Sequence, residues 1–224
     1  MVDVNTTDEN LQIPDKSVLY EIAGSAYADN YAGNIEGFSL LKQTPTLKFF
    51  KKKDYPVIVI GVRGTADFED FMAWLPVVFD TIVETQRYNK DTATLTQFQA
   101  NYLPSQYYFY ATGHSLAGVI IDEWLKAGLI LKGRTYNPAI QVKDLSAQAT
   151  NNYRVYSSGD PLYGLFGKRA KAIPEVRQAK GGHPSAFKIG AYWFGKDMLG
   201  EHNLNNPVFV GGSLDKLFMS KFNS

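Results

Sequence analysis

The spacing of apolar positions changes several times along this chain. In "SVLYEIAGSAYADNY", Val18, Leu19, Ile22, Ala23, Ala26 and Tyr27 recur at helical intervals, which predicts a helix packed on a core. Strands are expected at "GFSLLKQ" and "TLKFFKK", with Lys51, Lys52, Lys53 and Asp54 as a solvated turn. "PVIVIGV" (56–62) is apolar throughout and rich in β-branched residues, the mark of a strand buried on both faces. "DFEDFMAWLPVVFDTIVETQRY" (67–88) reads as helix interrupted near Pro76. An aromatic strand, "QYYFYAT", then enters a short turn and the segment "LAGVIIDEWLKAG". There Leu116, Val119, Ile120 and Trp124 face one way, Asp122, Glu123 and Lys126 the other, and Gly128 is placed to stop the helix. Further strands are expected at "RTYNPA", "YRVYSS" and "FKIGAYWF". Strands alternating with helices predict an α/β protein with a mainly parallel central sheet flanked by helices. Residues 1–16 read as a polar arm and 17–224 as a single domain, with no internal repeat, low-complexity tract or linker.

Composition narrows the function classes. With 224 residues, 45% hydrophobic and 20% charged, the chain has the make-up of a globular protein able to bury a core. A formal net charge of +1 argues against a nucleic-acid protein. With no cysteine, disulfides, thiolate metal sites and a cysteine nucleophile are excluded. No apolar run is long enough for a transmembrane span. The polar, acidic start "MVDVNTTDENLQIPDK" is unlike an export signal, so an intracellular or particle-associated setting is expected.

The candidate chemistry lies at "TGHSLAG". A nucleophilic serine needs an exposed hydroxyl, a base beside it and backbone N–H groups aimed at the developing oxyanion. A sharp turn between a buried strand and a helix places Ser115 at its apex, with the helix N-terminus favouring negative charge. Small residues are needed two before and two after the serine, where strand and helix approach. Gly113 meets the first need. Ala117 stands where glycine is usual, and is tolerated if its Cβ faces a cleft between the two elements. His114, adjacent to Ser115, is read as support for the turn, because neighbouring residues there point in different directions.

The base must then be His183 or His202, the remaining two of three histidines. His202 is favoured, on a polar loop after the last expected strand. Asp160 is the favoured acid, in the loop after "YRVYSS", with Asp144 and Asp197 as competitors and a plain turn aspartate as the alternative. Asp122 is set aside because it lies in the helix leaving the serine. Leu116 and Thr65 are the expected oxyanion-hole donors, Thr65 because a buried strand ends at Arg63-Gly64-Thr65 and the glycine allows close approach. Arg63 reads as a salt-bridge partner.

In combination these segments resemble the class 3 (fungal-type) lipases of the α/β-hydrolase superfamily. "AGSAYADNY" is similar to the family's Ala/Tyr-rich first helix. "VIVIGVRGT" resembles its strand and oxyanion turn, "TGHSLAG" its Gly-His-Ser-Leu-Gly-Gly elbow, and "YRVYSSGDPL" its acid-bearing loop. Val62 stands where the family usually has an aromatic. The resemblance spans roughly residues 17–205. It implies an α/β-hydrolase fold and a serine carboxylic-ester hydrolase with Ser115, Asp160 and His202 as its triad, working through an acyl-enzyme. Thr65 and Leu116 would form the oxyanion hole, with no metal or organic cofactor. Acylglycerols are the first expected substrate and phospholipids the second, with transient contact at a lipid interface. In the family, the region between the oxyanion turn and the elbow includes a lid. Residues 67–88 are read equally as that lid or as a core helix. A hydrolase-like binding protein without catalysis is the remaining reading, of a different class.

Overall fold

The computed structural model describes residues 14–65, 82–141, 151–157, 160, 162–163 and the backbone of 175–177. Most of the arm, residues 67–81 of the segment read as lid or core helix, the strand expected at 187–194, Asp144, Asp197, His183 and His202 lie outside the described residues.

Helix α1 (Lys16–Ser25) opens the described chain, capped by the Asp15 side chain on the N–H of Ser17. It ends sooner than expected, so Ala26 and Tyr27 follow it instead of closing it. Strands β1 (Phe38–Gln43), β2 (Leu47–Lys52) and β3 (Val57–Val62) form an antiparallel meander. A 3₁₀ turn, Ile82–Glu84, precedes α2 (Gln86–Gln99), which leads into β4 (Tyr108–His114). Helix α3 (Ala117–Lys126), β5 (Lys132–Tyr136), β6 (Asn152–Ser157) and β7 (Glu175–Arg177) complete the order. Among the described residues the strands make one mixed sheet of seven in sequential order, parallel from β3 to β7.

The sheet is covered on both faces, which explains the unbroken apolar run of β3. Ile58, Ile60 and Val62 pack with Leu95 and Phe98 of α2 and Val119, Ile120 and Trp124 of α3. Val57 and Val59 pack on the other face with Val18, Leu19 and Ile22 of α1. Alternate residues of β3 thus enter different cores, as the pleat requires. Helices α2 and α3, which follow β3 and β4, share one face, as sequential parallel strands joined by same-handed crossovers require. The two helices are also tied by Trp124, whose Nε1 donates to Thr92 Oγ1 at 2.9 Å.

Several sequence expectations change here. Helix α2 was not anticipated beyond its first residues, because its buried face mixes Tyr88, Leu95 and Phe98 with polar Asp91 and Gln99. Its start is marked by the Thr85 hydroxyl, which accepts the N–H of Tyr88. Within the segment 67–88, the described end is a 3₁₀ turn and the first turn of α2, with Ile82 and Tyr88 in the core. Lys51 and Lys52 belong to β2; the turn itself carries Asp54 at φ 62°. Strand β7, beside β6, was not expected; it is only three residues long. Helix α3 stops as expected: Gly128 adopts φ 69°, Leu129 N–H donates to Trp124 O and Gly128 N–H to Leu125 O.

Candidate active site

The C-terminal ends of adjacent parallel strands carry the candidate residues, the edge at which open α/β sheets present ligand-binding loops. Ser115 follows β4 directly and has φ 58°, in the left-handed region that a residue with a Cβ enters at a cost of roughly 1–3 kcal/mol. The backbone around it is over-determined. Its N–H donates to Tyr136 O at 3.2 Å, and its carbonyl accepts the N–H groups of Gly118 at 2.9 Å and Ala139 at 3.0 Å. The turn is therefore held by the start of α3 and by the chain leaving β5.

The small residues of "TGHSLAG" have separate tasks. A Cβ on Gly113 would lie 2.5 Å from the Ala117 Cβ and 2.7 Å from Val62 O. Ala117 keeps its methyl group because Gly113 has none. Gly118 serves another contact, since a Cβ there would collide with the Pro138 side chain. The displaced glycine thus lets α3 close against the segment after β5. The Ser115 side chain differs from expectation: the residue is only 2% exposed.

Upstream, Gly64 is forced by proximity, because a Cβ there would collide with the His114 carbonyl oxygen and meet the Tyr27 hydroxyl at 2.5 Å. This packs the Arg63-Gly64-Thr65 turn against the residue preceding Ser115. The Thr65 hydroxyl is buried and has no hydrogen-bond partner among the described residues. Arg63 pairs with Asp29 at 3.0 Å, as the sequence suggested. His114 supports the turn: its Nδ1 lies 2.9 Å from the Tyr27 hydroxyl. Burial pushes the Tyr27 phenol well above its ordinary value, opposed by the Gly64 backbone and the charges of Arg63 and Arg87, so it is a neutral partner.

Downstream, Asp160 is fully buried after β6. Its Oδ1 accepts the N–H groups of Leu162 at 2.7 Å and Tyr163 at 3.1 Å, while its own N–H donates to Ser157 O at 3.0 Å. Asn137, which the sequence reading passed over, joins the two halves. It sits after β5 at φ 41°, donates its N–H to Val155 O at 2.8 Å, and accepts the Ser157 N–H on Oδ1 at 2.8 Å. An asparagine before proline at a strand end was the available signal. Asp160 follows the strand two positions across from the one before Ser115, a lateral offset of about 10 Å. Thr65, Leu116, Ser115 and Asp160 thus sit along one edge, while His202 and His183 lie outside the described residues.

Asp122 corrects the expectation of a polar outer face on α3. It is buried, and accepts from Asn152 Nδ2 and Arg154 Nη2, each at 2.7 Å. Burial raises its carboxyl above the usual range, against the opposing charge of Arg154 and the hydrogen bond from Asn152. Among the described residues no three His, Asp or Glu side chains form a metal-binding group, and no helix is long and apolar enough to cross a membrane.

No family model matches the chain, and no curated protein matches it. Among solved structures, those similar to the chain include fungal lipases. Lip2 lipase from Yarrowia lipolytica is 14% identical with a TM-score of 0.47, over 75% of this chain and 80% of that one. A mutant form of MDLA from Penicillium cyclopium is 12% identical with a TM-score of 0.41, over 75% and 77%. A structure described as a fungal lipase is 13% identical with a TM-score of 0.39, over the same shares of 75% and 77%. At such identities and TM-scores the likeness assigns neither a family nor an activity.

Proposed function

We propose that the chain is a serine carboxylic-ester hydrolase of the α/β-hydrolase kind, acting on lipid esters, with acylglycerols first. The observation that carries this is the left-handed backbone of Ser115 at φ 58°, between a parallel strand and a helix that close on each other through Gly113 and Ala117. Backbone strain at a non-glycine residue persists only where its surroundings enforce it, and it is concentrated at functional turns. A plain strand-to-helix connection has no need of it.

In this reading Ser115 Oγ attacks the ester carbonyl as His202 Nε2 takes its proton. The tetrahedral oxyanion is held by the N–H groups of Leu116 and Thr65, with the buried Thr65 hydroxyl as a further donor. Collapse expels the alcohol, which receives the proton from His202, and leaves an acyl-Ser115 ester. Water, deprotonated by His202, then releases the acid and restores the serine. Asp160 orients His202; the offset between Asp160 and Ser115 is one that an imidazole between them would bridge. No metal or organic cofactor enters any step. Phospholipase A-type hydrolysis uses the same groups and differs in the acyl and head-group contacts. In this reading substrate reaches the buried Ser115, 2% exposed, once the site opens at a lipid interface.

An activity-based fluorophosphonate tests this directly. The wild type is expected to label and Ser115→Ala to remain unlabelled. Equal labelling of both, or none of either, would leave a hydrolase-like binding protein. Interfacial opening predicts a rise in rate as a short-chain triacylglycerol passes from monomers to aggregates; smooth saturation through that point would indicate an esterase for soluble esters.

A further inference from the structure

The peptide that joins Arg63 to Gly64 is gripped at both ends. Arg87 Nη2 donates to Arg63 O at 2.6 Å, and the Gly64 backbone hydrogen-bonds the Tyr27 phenol oxygen. Arg87 is itself fixed, because its Nε donates to Asp91 Oδ2 at 2.5 Å. The other oxygen of Asp91 accepts the Thr46 hydroxyl at 2.5 Å, and the Arg63 N–H donates to the Thr46 carbonyl at 2.9 Å. These contacts close a ring through Thr46, Asp91, Arg87 and Arg63. Its carboxylate is deep in the protein: Asp91 is 1% exposed. A buried carboxylate is tolerated when a cation and further donors satisfy it in fixed geometry. Here the cation passes that fixed geometry to the carbonyl of Arg63. The residue after this gripped peptide is Thr65, whose buried hydroxyl has no partner among the described residues.

We propose that Arg87 is a positioning residue for ester hydrolysis: held by Asp91, it sets the plane of the Arg63–Gly64 peptide and so the direction of the Thr65 oxyanion donors. The proposal rests on the hydrolase reading of Ser115. Its physical basis is the planar guanidinium fork, which reaches a carboxylate and a carbonyl at once from one rigid plane. A lysine has the charge but presents one flexible ammonium, so it cannot hold both acceptors in the same geometry. Misdirected donors weaken steeply with angle, and an oxyanion hole works only when its donors are aligned before the reaction.

The test combines Arg87→Lys, Thr65→Ala and the double variant, with kcat and KM measured on a soluble p-nitrophenyl ester and thermal midpoints recorded beside them. Arg87→Lys is expected to lower kcat about tenfold while KM changes by less than about twofold, and Thr65→Ala to lower kcat about tenfold to a hundredfold. The double variant is expected to fall below Thr65→Ala but well short of the full product of the single losses, because the two changes share the Thr65 hydroxyl while the Thr65 N–H remains. Asp91→Asn, which keeps the shape and weakens the hold on Arg87, is expected to give the same split to a smaller degree. An Arg87→Lys enzyme with wild-type kcat, or a double variant showing the full product of the single losses, would overturn the proposal and leave the hydrolase reading standing. So would losses in Arg87→Lys and Asp91→Asn that follow only their folded fractions. A wild type that neither labels with fluorophosphonate nor turns over esters would overturn both.

Discussion

Asp122 and Asp160 are both buried carboxylates beside β6, and the sheet gives them opposite surroundings. Asp122 projects from α3 onto Arg154 and Asn152 within the layers, so its charge is matched by a cation on the strand beneath. Asp160 lies beyond the strand end, where its Oδ1 is held by the N–H groups of its own turn. The first arrangement ties a helix to a strand. The second fixes a carboxylate in place at the edge where Ser115 and Thr65 sit. Depth alone does not separate the two carboxylates; the direction and source of their partners do.

The sharpest way to break this contrast is through the histidine that Asp160 is proposed to orient. His202→Ala is expected to cost roughly six orders of magnitude in kcat, with His183→Ala close to wild type. The reverse result would reassign the base. Asp160→Asn is expected next, with a fall of about 10⁴ in kcat and an almost unchanged thermal midpoint. Its amide oxygen can still accept the N–H groups of Leu162 and Tyr163, so the turn should survive the change. A large loss of stability with kcat retained would instead make Asp160 a turn aspartate.

Asp122→Ala should behave the other way. It leaves Arg154, whose side chain is 3% exposed, buried without its counter-charge. The expected cost is about 3–5 kcal/mol in a denaturant titration, with kcat per folded molecule held. The smallest effect concerns Tyr156, which lies between the two carboxylates along β6. Burial raises its phenol well above the ordinary 10.0; Arg154 opposes this, and the charges of Asp160 and Asp122 add to it. The folded-state value is raised, so this contribution to stability is full below pH 10 and is lost as pH rises through the folded value. Replacing either carboxylate by its amide removes a negative neighbour. Tyrosinate absorbance should then show Tyr156 ionising at lower pH, with Tyr156→Phe identifying the signal. No shift in either variant would mean that Tyr156 does not sense this pair.

Much of the sheet was legible in the sequence because its strands announce themselves locally. β3 is apolar on both faces, β4 is aromatic and runs into a glycine turn, and β6 ends in a Gly/Asp/Pro loop. Helix α2 was hidden because Asp91 and Gln99 take buried positions that a hydrophobic pattern assigns to solvent. Asp122 was misread for the same reason: a carboxylate on a helix looks solvent-facing until its cation on another strand is known. The positions of Ser115, Thr65 and Asp160 just beyond strand ends could be read because each follows a strand at a turn of small or breaking residues. Asn137 offered only the signal of an asparagine before proline; its task, joining two strand ends, depends on an adjacency that the linear order does not reveal.

The sequence by itself determined the alternation of strands and helices, the glycine-limited turns at Gly64 and Gly113, and Ser115 as the residue at the apex. These follow from local sterics and from burial of apolar runs. Only the tertiary structure decided that Ala117 fits because Gly113 offers no Cβ, that Gly118 answers to Pro138, and that Asp91 grips the Thr65 turn through Arg87. Those facts depend on which backbones pass within contact distance, and close approach between distant segments is a property of the folded layers.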